Sequence, residues 1–314
     1  MDKVCIVILN YNNCEDTIEC VQSLRSAINS EKYKIVIVDN ASTNDSVSKL
    51  NNILSPIEII VSSAKHLYIC SSHPNIGGGE FIEILFTGIK YAEQAGYEYI
   101  CILNNDTIID VDFIETCKNE LKNSAQVAFV SPALVEYKDN NLIQSTGGDI
   151  FINKGIVTLK NHGARRIELP PKIESDYIGG ACIMFRTSIL KNIGYIPENY
   201  FLFFEETEWC YKAQKMGYKN ICLTDSYIYH KGSVSIKSVS GLQEYLMARN
   251  RVVFVRRNID SRIKYYCFLI YLFLQQGYHF LLRKNNAKNK IRYYLDGVFN
   301  RVDPSYPFII VENE

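Results

Sequence analysis

Neither net charge nor a glycine fingerprint marks this chain. Lysine plus arginine and aspartate plus glutamate both number 34 in 314 residues, so the overall balance carries no electrostatic footprint for nucleic acid. No Gly-x-Gly-x-x-Gly follows the first apolar segment, which disfavours a dinucleotide-binding Rossmann domain. The ten cysteines form no Cys-x-x-Cys pair. Cys5, Cys101, Cys182, Cys222 and Cys267 sit inside apolar runs, where a thiol packs as a small hydrophobe, and a reducing compartment is expected. A strand pattern starts directly after Met1-Asp2-Lys3, so no signal peptide is expected. Internal repeats and low-complexity tracts are absent.

What is there is a set of apolar segments that stop at polar residues. Val4–Leu9 runs into Asn10-Tyr11-Asn12-Asn13, and Tyr33–Val38 into Asp39-Asn40-Ala41-Ser42. Tyr99–Leu103 stops at Asn104, Asn105 and Asp106. Glu15–Ala27 has apolar residues at helical spacing, Ser46–Leu54 reads as a short helix, and Ile57–Val61 as a further strand. This order predicts right-handed βαβ units and a parallel sheet. The polar ends then collect at the carboxyl edge, where open α/β sheets bind ligands. Asp106 there suits a hard divalent cation carrying phosphate oxygens. Asp39 suits a ribose hydroxyl or a base N–H. The plainer alternatives are an Asn-Asp turn and a local helix cap.

Further along, Val111–Leu121 has helical spacing and Val127–Val130 reads as a strand ended by Ser131-Pro132. Residues 135–176 are polar and irregular, which predicts a hairpin or a mobile loop over the site. Gly179-Gly180 enters an apolar strand, marking a close backbone approach or a bulge. Tyr200–Cys210 combines four aromatic residues in a row of five with Glu205, Glu206, Glu208 and Trp209 at a helix start. Such carboxylates either serve as a base for an attacking hydroxyl or simply favour the helix dipole. Ile221–Leu223 and Ser226–Tyr229 read as strand segments that end in His230-Lys231.

These motifs together resemble family 2 glycosyltransferases, in particular the rhamnosyltransferase-like bacterial branch, over about Val4 to Asn258. The resemblance implies a GT-A fold: an α/β structure with a mostly parallel, Rossmann-like sheet flanked by helices, and a C-terminal helical extension. It implies a catalytic domain at 1–258, with a nucleotide-binding half to about 110 and an acceptor-binding half from about 111. Asn10, Tyr11, Asn12, Asp39 and Asn105 would hold the nucleotide. Asp106 would close an Asp-x-Asp-type signature and, with His230, bind Mg²⁺ or Mn²⁺ on the diphosphate. Glu206 would be the catalytic base, with Glu205 orienting the acceptor or the helix and Glu208 as the fallback base. Gly179, Gly180 and Trp209 would line the donor-sugar and acceptor region. Arg249, in a Tyr-x-x-x-Arg-Asn helix, and Lys231 would neutralise the leaving diphosphate. The glycine stretch before the metal strand departs from the family pattern. Asn75, Gly77 and Gly78 keep its start, and the glycines let backbone approach the nucleotide or donor sugar.

The C-terminal region differs in charge. Residues 245–301 carry a net +10, balanced by −10 elsewhere. Tyr265–Leu282 contains no Asp, Glu, Lys or Arg and is bracketed by basic residues. The expected role of 262–292 is peripheral contact with anionic headgroups, the alternative a core or homodimer helix. The expected activity is inverting, metal-dependent transfer of a hexosyl or deoxyhexosyl unit in bacterial surface-glycan synthesis. The donor would be a nucleoside-diphosphate sugar and the acceptor a hydroxyl of a lipid-linked or polysaccharide chain, at the cytoplasmic face of the membrane. A sugar nucleotidyltransferase and an inactive nucleotide-sugar-binding relative are the competing classes.

Overall fold

Period-two alternation of apolar residues decides the core. In β1 (Val4–Asn10), Cys5, Val7 and Leu9 face one side and Val4, Ile6 and Ile8 the other, and all six are buried. A strand covered on both faces needs helices on both faces, and the chain supplies them. The computed structural model describes residues 3–28, 33–55, 57–61, 81–232, 241–282 and 287–306. The first half runs α1 (Cys14–Ala27), β2 (Tyr33–Asp39), α2 (Ser46–Leu54), β3 (Glu58–Val61), α3 (Phe81–Gln94), β4 (Tyr99–Asn104), β5 (Thr107–Ile108) and α4 (Phe113–Asn123). Five strands follow, β6 (Val127–Glu136), β7 (Ile143–Ser145), β8 (Gly148–Phe151), β9 (Ile156–Leu159) and β10 (Lys172–Ser175). The remainder is β11 (Cys182–Arg186), α5 (Leu190–Ile193), α6 (Glu205–Lys215), β12 (Lys219–His230), α7 (Leu242–Asn258), α8 (Arg262–Leu281) and α9 (Ala287–Val298).

The main sheet has the order β10-β12-β6-β11-β4-β1-β2-β3, with β5 on β12 and β7 on β6. Strands β3, β2, β1 and β4 are mutually parallel, as the βαβ pattern predicts. β11 inserts antiparallel between β4 and β6, and β12 runs parallel to β6. Leu85, Ile89 and Ala92 of α3 cover one face, and residues of α1, α2 and α4 cover the other. Gly88 makes the α3 contact close: a Cβ there would stand 2.3 Å from Val7 Cγ1. Phe268 and Leu272 of α8 and Tyr294 of α9 join the same core as α3 and α7.

Two strands differ from their expected bounds for one reason. Ser131-Pro132 does not end β6, which continues to Glu136. Pro132 lies opposite the irregularity between Leu223 and Tyr227 of β12, where the ladder slips and its missing N–H leaves no bond unmade. That bulge also explains why the two expected segments of β12 are one bent strand. Residues 135–176 form β7, the β8–β9 hairpin and β10 rather than an open loop.

Candidate active site

The carboxyl ends of β1 and β2 are fastened to each other. The Asp39 carboxylate accepts from Ser42 N–H at 2.8 Å, the Ser42 hydroxyl at 2.7 Å and the Asn10 side-chain amide at 2.6 Å. Asn10 in turn accepts from the Thr17 hydroxyl at 2.7 Å. Both residues are buried, Asp39 completely. In this structure Asn10 and Asp39, the expected contacts of base and ribose, are engaged with each other and with Thr17 and Ser42. Asn12, with φ of 50°, binds the Thr43 N–H at 2.8 Å, and Tyr11 is partly exposed beside it. Asn105 is also used internally, donating to Asn13 O at 3.3 Å and Thr17 Oγ1 at 3.0 Å. Two neighbours unmarked by the sequence analysis have the open chemistry. The side-chain oxygens of Asn40 and Asn104 are sealed from solvent and have no hydrogen-bond partner. An unmet buried acceptor costs about 1–3 kcal/mol, so these oxygens suit hydroxyl or N–H donors from a ligand.

Asp106 and His230 meet because β5 pairs with β12. His230 lies opposite Thr107, and Lys231 N–H donates to Asp106 O at 2.9 Å. His230 Nε2 stands 3.2 Å from Asp106 Oδ1, yet it makes no hydrogen bond and is sealed from solvent. Two donor atoms this close, with no hydrogen bond between them, suit adjacent positions on one cation. Ligands about 2.1 Å from an octahedral metal and at right angles are separated by about 3.0 Å. Mg²⁺ and Mn²⁺ take such oxygen and imidazole donors and leave positions for phosphate oxygens and water. Among the described residues no group of three His, Cys, Asp or Glu gathers; two protein ligands fit a cation completed by its substrate.

Glu205 and Glu206 open α6. Asn104 N–H donates to Ala181 O at 2.9 Å, so the segment 179–181 joins the metal edge to this helix start. A Cβ on Gly180 would lie 3.2 Å from Glu206 Oε1, and the Gly180 N–H donates to that carboxylate. Gly180 thus lies against the Glu206 carboxylate, as expected of a glycine that allows close approach. Burial raises the Glu206 carboxyl above the ordinary range, opposed by hydrogen bonds from its own backbone, Glu205 and Gly180. Burial, then the Glu206 charge, raises Glu205 well above that range. Each carboxyl keeps one oxygen, Oε2, sealed and unpartnered. Glu206 is partly exposed and Glu205 is buried.

The turn before α6 is strained: Phe203 and Phe204 have φ of 67° and 78°. Such backbone costs on the order of 1–3 kcal/mol per residue and persists where surroundings impose it. Asn250 does so, donating to Leu202 O at 2.8 Å and Phe203 O at 3.1 Å. Arg249 is fully buried, donating to Asn250 Oδ1 at 2.7 Å and Arg301 O at 2.9 Å. The Arg249 guanidinium, expected at the diphosphate, is engaged inside the fold in this structure and braces the turn before α6 through Asn250. Lys231 is held by Asp16 and Glu19 at 2.5 Å each and is not directed to a ligand. Glu208 is fully buried and receives Tyr200, Lys212, Arg257 and Asn258, which removes it as the fallback base. Trp209 is core, with Phe129 and Phe185 at 4.5 and 5.0 Å and its indole N–H on Gly194 O. Gly179 sits beside Leu134, and Asn75, Gly77 and Gly78 lie outside the described residues.

Comparison with known proteins agrees with this architecture. Residues 5–69 match the family model for glycosyl transferase family 2. The low-salt glycan biosynthesis hexosyltransferase Agl10 of Haloferax volcanii is 26% identical over 256 residues, 80% of this chain and 75% of that protein. TarS 1–349 of S. aureus superposes with a TM-score of 0.56 at 17% identity, over 98% of this chain and 83% of that one. Its complex with UDP-GlcNAc gives 0.56 at 18% identity, over 95% and 80%. GalNAc-T7 with UDP, GalNAc and Mn²⁺ gives 0.60 at 14% identity, over 81% of this chain and 47% of that one. The fold is GT-A: an α/β sheet, mostly parallel, between two helical layers.

Proposed function

We propose that this chain is an inverting, metal-dependent glycosyltransferase that moves a hexosyl or deoxyhexosyl unit from a nucleoside diphosphate to an acceptor hydroxyl on a lipid-linked or growing polysaccharide. The observation that carries it is the joining of two half-sites on one sheet edge. Asp106 and His230, 3.2 Å apart, form one; Glu206, against Gly180, forms the other. Agl10, a hexosyltransferase, and TarS with its UDP-GlcNAc support the substrate class. Residues 1–258 are assigned the transfer and 259–314 the anchoring.

In the proposed single displacement, Glu206 takes the proton from the acceptor hydroxyl as its oxygen bonds to the anomeric carbon. The bond to the diphosphate oxygen breaks and its electron pair leaves with the nucleotide. Asp106 and His230 would hold Mg²⁺ or Mn²⁺, which neutralises charge developing on the diphosphate. Glu205 keeps its proton and holds Glu206 in place.

A panel of nucleoside diphosphates with Mn²⁺, read by thermal shift, tests the donor half. The matching nucleotide at about 100-fold its Kd should stabilise the fold by about 2.7 kcal/mol. The gain should require Mn²⁺ and vanish in Asp106→Ala. Pyrophosphate release from a nucleoside triphosphate, with no transfer from a nucleotide sugar, overturns the reading in favour of a nucleotidyltransferase.

The proposed site of membrane contact is α8. Among the described residues no helix is long and apolar enough to cross a bilayer. Phe268 and Leu272 pack inward. Ile263, Tyr266, Ile270, Leu274, Tyr278 and Leu281 form an opposite stripe, each at least 61% exposed. Arg262 and Lys264 are exposed at its start, and the net +10 of 245–301 fits anionic headgroups. The protein should sediment with phosphatidylglycerol vesicles but not phosphatidylcholine ones, and Ile270→Glu/Leu274→Glu should abolish this. A dimer dispersed by the same substitutions, with no vesicle binding, would assign the stripe to a second copy.

A further inference from the structure

We propose that Gln144 is a positioning residue that fixes the tautomer of His230, leaving Nε2 as a bare ligand atom; this rests on Asp106 and His230 binding a cation. Gln144 lies on β7 and His230 on β12, which flank β6 on opposite sides. The Gln144 side-chain oxygen is 2.6 Å from His230 Nδ1. An amide oxygen only accepts, so Nδ1 carries the proton. A neutral imidazole has one such proton, and Nε2 is then a lone pair.

The surroundings of Nε2 agree with that assignment. It is sealed from solvent, lacks a hydrogen bond, and stands 3.2 Å from Asp106 Oδ1. In the opposite tautomer, with the amide nitrogen donating to Nδ1, Nε2–H would be the natural donor to Asp106. The ring is not aimed for that bond. Two lone pairs facing one carboxylate-lined point repel each other until a positive ion lies between them. Gln144 itself is anchored, since its backbone oxygen is 2.9 Å from His162 Nδ1. Outer partners of metal-bound histidine typically contribute about 10–100-fold in metal affinity.

Mn²⁺ binding in the presence of each nucleoside diphosphate of that panel, followed by electron paramagnetic resonance, separates a positioning role from a structural one. Gln144→Met keeps length but loses the strong acceptor and should weaken Mn²⁺ about 10–100-fold. Gln144→Glu still accepts from Nδ1–H and should stay within about threefold of wild type. Imidazole ¹⁵N shifts of the metal-free protein should show Nδ1–H at His230 in wild type and Gln144→Glu, and mixed tautomers in Gln144→Met. Equal Mn²⁺ affinity in wild type and Gln144→Met, or an Nε2–H tautomer in wild type, overturns the inference. Failure of wild type itself to bind Mn²⁺ overturns the cation reading instead, and the ¹⁵N spectrum still decides whether Gln144 sets the tautomer.

Discussion

Glu206→Gln is expected to reduce kcat by roughly 10²–10⁴-fold, the range for removing a general base, with little change in Tm. Glutamine keeps the shape of the side chain. Its amide oxygen still accepts from the Glu205 carboxyl and from Gly180 N–H, so α6 should keep its start. What is lost is the ability to take a proton. The pH dependence separates this role from a packing role. Burial places the Glu206 carboxyl above the ordinary carboxylate range. A base must be ionised, so wild-type kcat should rise with pH as Glu206 loses its proton and then level. In Glu206→Gln the residual rate should lack that rise. Initial rates of nucleoside diphosphate release, measured from acid to neutral pH, check both parts. A variant with near-wild-type kcat and an unchanged profile removes Glu206 from the chemistry.

The strands of the N-terminal half were legible because burial on both faces leaves an uninterrupted apolar run, and each run stops at the sheet edge. Asp106, His230 and the Glu205-Glu206 pair, on which the proposed site rests, were singled out for the same reason: they stand where a regular element begins or ends. Side-chain pairings inside the fold left no such mark. Asn10 and Asp39 also end strands, but their side chains satisfy one another, and pairing between residues 29 apart leaves no mark on either local motif. Trp209 and Arg249 look like ligand residues by type. Only the packing of Phe129 and Phe185 around the indole, and the Asn250 and Arg301 oxygens around the guanidinium, identify them as structural. Gln144 carried no signal at all. It lies in an irregular polar stretch, and its meeting with His230 depends on two strands that share β6 from opposite sides.

Glu208→Gln should destabilise the fold by about 3–5 kcal/mol at neutral pH, the usual cost of removing one partner from a buried ion pair. The carboxylate is fully buried and receives Lys212 at 2.7 Å, Arg257 at 3.2 Å and Asn258 at 3.0 Å, with the Tyr200 hydroxyl completing the set. Glutamine cannot accept at both positions. Lys212 and Arg257 retain some access to water, at 37% and 21% side-chain exposure, which favours the lower end of the range. The pH dependence has a definite sign. Burial pushes the Glu208 carboxyl up, but the Lys212 charge and the hydrogen bonds of Lys212, Tyr200 and Arg257 outweigh it and hold it below its ordinary value. A depressed carboxylate stabilises the fold above its unfolded pKa and loses that contribution as pH falls through the folded one. Glu205, three residues earlier in the same turn, is raised by burial and by Glu206, so its contribution is complete at low pH and declines as pH rises. In denaturant melts, the gap between wild type and Glu208→Gln should therefore be widest near neutrality and close toward acid. Glu205→Gln should lose less than Glu208→Gln at neutral pH, because burial and the Glu206 charge hold the Glu205 carboxyl well above the ordinary range. Equal stability of wild type and Glu208→Gln at neutral pH would mean that the four donors around this carboxylate do not hold α6 in place, and the strained aromatic turn that presents Glu206 would then depend on Asn250 alone.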